Sequence, residues 1–486
     1  MPQDIPNEVL STIFSYLMDP SQKHRLHHDF IVNIWPVRLV CRKWNNLATQ
    51  QLFRTLPLYH TEETAEEGFS SWQHLINSSA IRSAARRVTI ESAPWDDLDD
   101  GRDLTTWATW ADKGEWPEFT SAIDRIRDLP HLNALEVRFS GYCVGRAGDQ
   151  SDPRYESAAT RQQTLQRVLE AMKQRTADNP MATVIRELVF EGLQNMPLPK
   201  SLTDGLLQDI KGLHILIVSE EKETPEAAIH LHEMSQFGPY LQGTFLPSVA
   251  EQLVELTICD GFWGAIPGEF NGNGLNFPNI KTLTLGGYII SRRDQFDWVL
   301  AQQSLTSLSL HSCTIASHCL VLQPDFASWG VDLRGWKWVA DPPDEEYLER
   351  SAGISYTGTP GKPPITPGWY VKDLRWETIF DSIREKLPNL RAFSFTKELW
   401  STFFRNIGCA HAESMVQRYL GFSQAWCELW EYNMRGCNYV EENRPGKPEE
   451  LLTLTEVADR RALESLIRTT EVRRVGLRTD STKLSI

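Results

Sequence analysis

Four potential metal ligands lie within nine residues in the second half of the chain. They are His311, Cys313, His318 and Cys319. Structural zinc sites need four convergent ligands, which are usually paired as CxxC or as histidines with three to five residues between them. These residues have neither spacing, and Leu310 before them ends an apolar strand pattern. We therefore expect a turn at His311 and Cys313 rather than a metal site.

An acidic run and a glycine-rich loop also resemble ligand-binding motifs, but neither meets the requirements of its motif. If Gly101 were the sixth position of a calcium loop, Leu98 would be the third and Trp107 the twelfth, where oxygen ligands are required. The loop 264–274 has no Gly-Lys-Ser/Thr and no GxGxxG that opens a helix, so it is a poor phosphate cradle. We expect both segments to be loops.

Signatures of catalysis are also missing from the sequence. It has no GxSxG, no HExxH and no Cys-His pairing that suggests a nucleophile. We therefore expect no catalytic residues, no cofactor, no metal and no enzymatic activity. An unrecognised enzyme remains an alternative, and converging histidine and carboxylate groups in the structure would favour it.

The composition indicates a folded protein of more than one unit. The chain has 486 residues, of which 41% are hydrophobic and 17 are Trp. Its net charge of −15 opposes nonspecific nucleic-acid binding, and no run approaches the ~18 apolar residues of a membrane span. Eight cysteines without a CxxC pair fit a reducing compartment, and no secretion signal is visible. We expect a cytoplasmic or nuclear location, or both.

Two apolar patterns near the N-terminus predict short amphipathic helices. The first pattern consists of Val9, Leu10, Ile13, Phe14 and Leu17. The second consists of Val37, Val40, Cys41, Trp44, Leu47 and Ala48. Asn7 stands where an N-cap belongs, and Pro36 introduces the second helix. Because a unit of roughly 50 residues cannot bury so much apolar surface, we expect part of it to face a partner.

The order of these residues resembles the F-box, the adaptor-binding module of SCF-type ubiquitin ligases. In that family an Ile-Pro or Leu-Pro pair opens the motif, here Ile5-Pro6. A helix E-[VL]-L-x-x-I-[FL]-x-[YH]-L follows at residues 8–17, and L-V-C-[RK]-x-W follows at residues 39–44. The segment 18–36 is longer and richer in His than is usual, which leaves the register of the second helix open. A helical hairpin docked on the chain's own C-terminal domain is the alternative.

The resemblance implies a substrate-recruiting subunit that binds a Skp-family adaptor and, through it, a cullin, and that presents an unknown protein substrate. It implies adaptor contacts by Ile5, Pro6, Leu10, Ile13, Phe14, Leu17, Leu39, Val40, Cys41 and Trp44. Some of the second set must also pack the helices together, and the sequence does not divide these roles. Trp44 is the expected hot spot, because truncating a buried Trp anchor costs at least ~2 kcal/mol. The alternative is an interaction scaffold whose F-box serves assembly without ubiquitylation.

From about residue 80 onward, a pattern of apolar residues at i, i+3 and i+5 predicts short strands separated by helices. The copies are Ala85/Val88/Ile90, Leu132/Leu135/Val137, Ile185/Leu188/Phe190, Leu213/Leu216/Val218, Leu253/Leu256/Ile258, Ile280/Leu283/Leu285, Leu305/Leu308/Leu310 and Leu390/Phe393/Phe395. Strands that alternate with helices indicate parallel pairing. The pattern lapses at 320–372, which we interpret as a long Pro/Gly-rich insertion loop that projects from the array.

The repeats and the step W-x-x-I-F-x-x-I-x-x-x-L-P-x-L at residues 376–390 resemble fungal F-box proteins with degenerate leucine-rich repeats. The predicted fold class is α/β: a small all-helical N-terminal F-box, then an irregular leucine-rich-repeat-like α/β solenoid with a helical C-terminal cap. The predicted boundaries are 1–58, 80–398 and 399–486. A compact α/β domain with a parallel sheet remains the alternative.

Overall fold

The chain divides into two units. The first comprises Met1–Gln194 and Leu198–Ile215, and the second comprises Asn195–Pro197 and Leu216–Ile486. The structure is a computed structural model that describes residues 5–17, 34, 36–59, 65–92, 116–141, 143–144, 156–218, 232–265, 270–321, 333–340, 366–396, 415–423, 427–429 and 448–483. The division at 58, 80 and 398 stays a prediction.

The first unit begins with helices, as predicted, but the second predicted helix is interrupted. The elements are α1 (Asn7–Leu17), a 3₁₀ helix (Pro36–Leu39) and α2 (Arg42–Leu52). A continuous helix from Val37 was wrong, because the amide of Val40 donates to the carbonyl of Val37 (3.3 Å) and closes a 3₁₀ turn. Cys41 is then extended (φ −165°, ψ 169°), so α2 begins at Arg42. Most of the segment 18–36 lies outside the described residues.

The rest of the first unit alternates strands and helices. Its strands are β1 (Thr55–Leu58), β2 (Arg87–Glu91), β3 (Ala134–Arg138), β4 (Cys143–Val144), β5 (Glu156–Ser157), β6 (Glu187–Gln194) and residues 212–215 of β7 (Gly212–Val218). Its helices are α3 (Ala65–Asn77), α4 (Ser79–Ala84), α5 (Pro117–Asp124), a 3₁₀ turn (Arg125–Asp128), α6 (Ala158–Asp178) and α7 (Lys200–Leu207). Strands β1, β2, β3 and β6 pair in parallel in that order, which confirms the predicted pairing. Strand β1 was missed by the sequence pattern.

In β1, β2, β3 and β6 the second and fourth residues are buried, which explains the i, i+3, i+5 pattern. In β2, for example, Val88 and Ile90 are fully buried. The predicted register of β7 was wrong, because its buried residues are Leu213, Ile215 and Ile217. Ile210, Leu213 and Ile215 satisfy the same spacing three residues earlier, so the spacing alone did not select one register.

A repeated backbone bond aligns the starts of these strands. The carbonyl of the residue before each strand accepts two amides from the next strand's start, at 2.7–3.2 Å. The acceptors in chain order are Arg54, Arg86, Asn133 and Arg186, and the last donors are Lys211 and Gly212. In the second unit the acceptors are Val254, Lys281 and Thr306, and the last donors are Arg391 and Ala392. Within each unit, these bonds place the same position of successive repeats side by side where the strands begin.

The second unit contains the remaining elements. Its strands are β8 (Glu255–Gly264), β9 (Thr282–Ile290), β10 (Ser307–His311), β11 (Thr314–Val321), β12 (Lys337–Ala340), β13 (Gly368–Val371), β14 (Ala392–Thr396), β15 (Tyr419–Ser423) and β16 (Cys427–Leu429). Its α-helices are α8 (His232–Tyr240), α9 (Asp297–Leu300), α10 (Trp376–Lys386) and α11 (Pro448–Lys483). Strands β8, β9, β10 and β14 pair in parallel, and the end of β9 also pairs with β11.

Two predictions for the second unit need correction. The described parts of the 320–372 segment are not only loop, because β13 pairs antiparallel with β11 and with β12. Their aromatic sequences, WKWVA and GWYV, favour strands despite the surrounding Pro and Gly. The C-terminal region is not purely helical either, since β15 pairs in parallel with β11 and antiparallel with β16.

The predicted C-terminal helix is confirmed in α11, and a buried aspartate fixes it. The Asp459 carboxylate accepts the backbone amide of Glu377 (2.7 Å) and the hydroxyl of Tyr419 (2.6 Å). Arg473 further along α11 donates to the carbonyl of Leu387 (2.8 Å) after α10. Hydrogen bonds therefore join α11 to β15 and to both ends of α10, in addition to packing.

Candidate functional site

The N-terminal helices enclose a small apolar core. Leu10, Phe14, Ile34 and Ala48 are buried, and Leu10 and Phe14 are each only 1% exposed. Partly buried side chains surround them: Ile5, Val37, Trp44, Leu47 and Leu52. The core thus joins both predicted apolar patterns, and it settles the register of α2 with Trp44 and Ala48 facing α1.

An aromatic contact joins the two helices. The rings of Phe14 and Trp44 lie 5.4 Å apart in an edge-to-face arrangement, with 67° between their planes. Such pairs contribute about 0.5–1.5 kcal/mol beyond the burial of their area. The indole N–H of Trp44 is buried without a hydrogen-bond acceptor among the described residues. Trp44 therefore serves the packing of the domain, whatever else it contacts.

Polar contacts fix how the two helices are aligned. The ammonium of Lys43 donates to the carbonyl of Ile5 (2.6 Å), and the amide of Gln51 donates to the hydroxyl of Ser11 (2.6 Å). These bonds join residues 38 and 40 positions apart, one just before α1 begins and the other at its fifth residue. Two polar contacts therefore fix the helix pair in addition to its apolar core.

Part of the apolar surface of this domain remains exposed, as predicted. We call the exposed residues the N-terminal apolar patch: Val9, Ile13, Leu17, Leu39 and Val40. Their exposed fractions run from 37% at Leu17 to 82% at Leu39. Five of the fourteen large apolar side chains exposed in the described part of the chain lie in this short segment. It is therefore the richest candidate for a partner surface.

The ten residues predicted to contact an adaptor fall into three groups. Ile13, Leu17, Leu39 and Val40 are exposed apolar side chains, and Pro6 is exposed beside them in sequence. Ile5, Cys41 and Trp44 are half-buried, while Leu10 and Phe14 lie in the core. Val9 was left out of the prediction, although its exposure matches that of Ile13. The adaptor contacts themselves stay a prediction.

Residues 2–58 match the F-box-like family model. The chain therefore carries an F-box-like domain, and the match covers both helices of the apolar core and β1. F-box domains generally bind adaptors of the Skp family. No curated protein matches the chain.

The residues first considered as metal ligands make other contacts. The Nδ1 atom of His311 lies 2.6 Å from the Thr396 hydroxyl, and that of His318 lies 2.8 Å from the Ser317 hydroxyl. The Cys313 thiol donates to the carbonyl of Leu285 (3.3 Å). Within the described ranges, no group of three or more His, Cys, Asp or Glu residues is arranged to hold a metal ion. No helix in those ranges is long and apolar enough to span a membrane.

A buried cluster of charges, which the sequence pattern did not predict, lies on three strands of the first unit; we call it the buried carboxylate cluster. It contains Glu91, Glu136, Arg138 and Glu191, all at least nine-tenths buried. Arg138 contacts the carboxylates of Glu91 (3.2 Å), Glu136 (2.6 Å) and Glu191 (3.3 Å), and Arg87 also pairs with Glu136 (3.1 Å). Glu91, Arg138 and Glu191 stand opposite one another on β2, β3 and β6.

The cluster shifts the pKa values of its members. Burial raises the pKa of Glu91 to about 7; Arg138 opposes this rise, whereas Glu191 and Glu136 add to it. Burial alone would lower the pKa of Arg138, but the three carboxylates outweigh it and raise that pKa. With a pKa raised to about 7, Glu91 therefore changes its protonation near neutral pH. The fifth residues of β2, β3 and β6 are Glu91, Arg138 and Glu191, which stand side by side only once the strand register is known.

Proposed function

We propose that the chain is the substrate-recruiting subunit of an SCF-type cullin-RING ubiquitin ligase. The observation that carries the proposal is the N-terminal apolar patch, which lies within the F-box-like domain and leaves five large apolar side chains exposed to water. Exposed apolar patches of this kind mark protein interaction sites. The patch would dock on a Skp-family adaptor, and a cullin would join through that adaptor.

The remainder of the chain would bind the target protein without catalysing a reaction. We infer that its strands form a degenerate leucine-rich-repeat-like array, as in fungal F-box proteins of this type. The repeated bond at each strand start supports this inference, since it recurs at the same position of successive repeats. The assembly would act in the cytoplasm, the nucleus or both, by raising the concentration of a substrate lysine near activated ubiquitin.

A pull-down with purified Skp-family adaptor and cullin tests the proposal. The triple variant Ile13→Asp/Leu39→Asp/Val40→Asp places charges on exposed positions and spares the core. We expect it to lose at least about tenfold in adaptor affinity, because desolvating three carboxylates in an apolar interface is costly. The matched control Met181→Asp/Val184→Asp changes exposed apolar residues outside the domain and should bind like wild type.

The outcomes separate the alternatives. Undiminished binding by the folded triple variant would refute the assignment of the patch. Capture of the adaptor without cullin would favour an interaction scaffold that does not support ubiquitylation. Circular dichroism of both variants shows whether lost binding reflects lost structure.

A further inference from the structure

Four of the five residues that directly precede β1, β2, β3, β6 and β7 in the first unit carry a positive charge. The row consists of Arg54, Arg86, Asn133, Arg186 and Lys211, and we call it the basic edge. The repeated backbone bonds hold these residues in register, one per strand, where the strands begin. With adjacent strands about 4.8 Å apart, the four steps span about 19 Å. All but Arg86, which is half-buried, are exposed.

Within the described residues, the positive charge of the basic edge is only partly neutralised. Arg186 lies 3.4 Å from the carboxylate of Asp209, an exposed pair that contributes little. Arg54 and Lys211 have no ion-pair partner among the described residues. Burial lowers the pKa of Arg86, and the nearby charge of Arg54 lowers it further. Two like charges therefore lie close together at this end of the basic edge. A bound anionic group would relieve this repulsion.

We propose that the basic edge binds a short acidic segment of a partner protein, rich in Asp and Glu. An extended chain of about six residues spans the 19 Å of the edge, since a strand rises about 3.3 Å per residue. A nucleic acid fits less well, because the net charge of −15 repels a long polyanion over the rest of the surface. The proposal does not depend on adaptor binding by the N-terminal apolar patch.

The side chains of the basic edge differ in how safely they can be changed. Arg86 donates to the carbonyls of Ser83, Ala84 and Ala85 at the end of α4, so its replacement would disturb the fold. Arg54 and Lys211 make no side-chain hydrogen bond within the described residues. Arg54→Glu/Lys211→Glu therefore reverses two charges and leaves the described contacts intact.

The test measures binding of a fluorescein-labelled octaglutamate peptide to the full chain by fluorescence anisotropy at low salt. We expect Arg54→Glu/Lys211→Glu to weaken binding at least about tenfold, and we expect wild-type affinity to fall as salt rises. The matched control is Lys281→Glu/Arg391→Glu, which reverses exposed charges at the same repeat position in the second unit. It should retain most of the wild-type affinity.

Three results would overturn the proposal. The first is no measurable peptide binding at low salt. The second is equal loss in both double variants, which would mean that binding follows total charge instead of this edge. The third is tighter binding of a single-stranded oligonucleotide of equal charge that is lost in the same variant, which would assign the edge to nucleic acid.

Discussion

Replacing Glu91 with Gln should stabilise the first unit at pH 8 and reduce the pH dependence of its stability. Glu91 lies in the buried carboxylate cluster, where three carboxylates form ion pairs with the single guanidinium of Arg138. Arg87 forms a further ion pair with Glu136. Because its pKa is raised in the folded protein, the native state binds a proton more tightly there than the unfolded chain does. Stability is therefore highest when Glu91 is protonated and falls as the pH rises through about 7.

The magnitude follows from the shift in pKa. The pKa of Glu91 rises from 4.5 to about 7, and each unit corresponds to about 1.4 kcal/mol at 25 °C. Ionised Glu91 therefore costs the folded state about 3 kcal/mol at pH 8 relative to the protonated side chain. Gln is a neutral substitute of nearly the same shape, so Glu91→Gln should recover most of this free energy at pH 8 and little at pH 5.

Urea unfolding at pH 5, 6, 7 and 8 measures this difference, and hydrogen exchange of the β2 and β3 amides localises it. The exposed Glu118→Gln in the same unit controls for the loss of one carboxylate. The free energies of unfolding of wild type and Glu91→Gln should converge at pH 5 and separate as the pH rises. If the variant is less stable than wild type at pH 8, Arg138 outweighs burial and the reasoning is wrong.

Three further predictions test the packing. Phe14→Ala should lower the free energy of unfolding by about 3–5 kcal/mol and expose α1 and α2 to hydrogen exchange. Ile13→Ala should lower it by under about 1 kcal/mol, and equal effects would contradict the division between core and patch. Gly192→Ala should destabilise β6 by about 1–3 kcal/mol in urea unfolding, because φ is +71° and the added Cβ would lie 2.9 Å from the Phe139 carbonyl; an unchanged midpoint would refute this. Asp459→Asn should raise the rate of amide hydrogen exchange in α11, because it weakens the hydrogen bond with the Tyr419 hydroxyl and lowers the free energy of unfolding by about 1–3 kcal/mol. Unchanged protection from exchange would show that packing alone holds α11.

Local spacing predicted those parts of the fold that depend on neighbouring residues. Seven of the eight predicted strands have the register that the sequence predicts. The apolar residues that determine this register lie within four positions of one another, so a local pattern is enough to find them. β7 failed because Leu213 belongs to two overlapping triples. The break between the 3₁₀ helix and α2 escaped prediction because the residues from Val37 to Ala48 remain compatible with one continuous helix.

The sequence pattern did not predict contacts between distant repeats. Glu91, Arg138 and Glu191 are about 50 residues apart from one to the next, and only the strand register brings them together. Each looks like an ordinary polar residue after an apolar strand. The sequence did not predict the basic edge for the same reason, because its residues lie far apart along the chain.

The division of α1 between core and surface follows from the width of its apolar arc. At about 100° per residue, Val9, Ile13 and Leu17 occupy about 80° of the helix circumference, and Leu10 and Phe14 extend it to about 140°. The N-terminal core covers the Leu10 and Phe14 side and leaves the other side exposed. Truncating Trp44 is consequently a poor test of partner binding, because it also removes the ring that packs on Phe14. Ile13 shares the helix but not the core, so its substitution separates binding from folding.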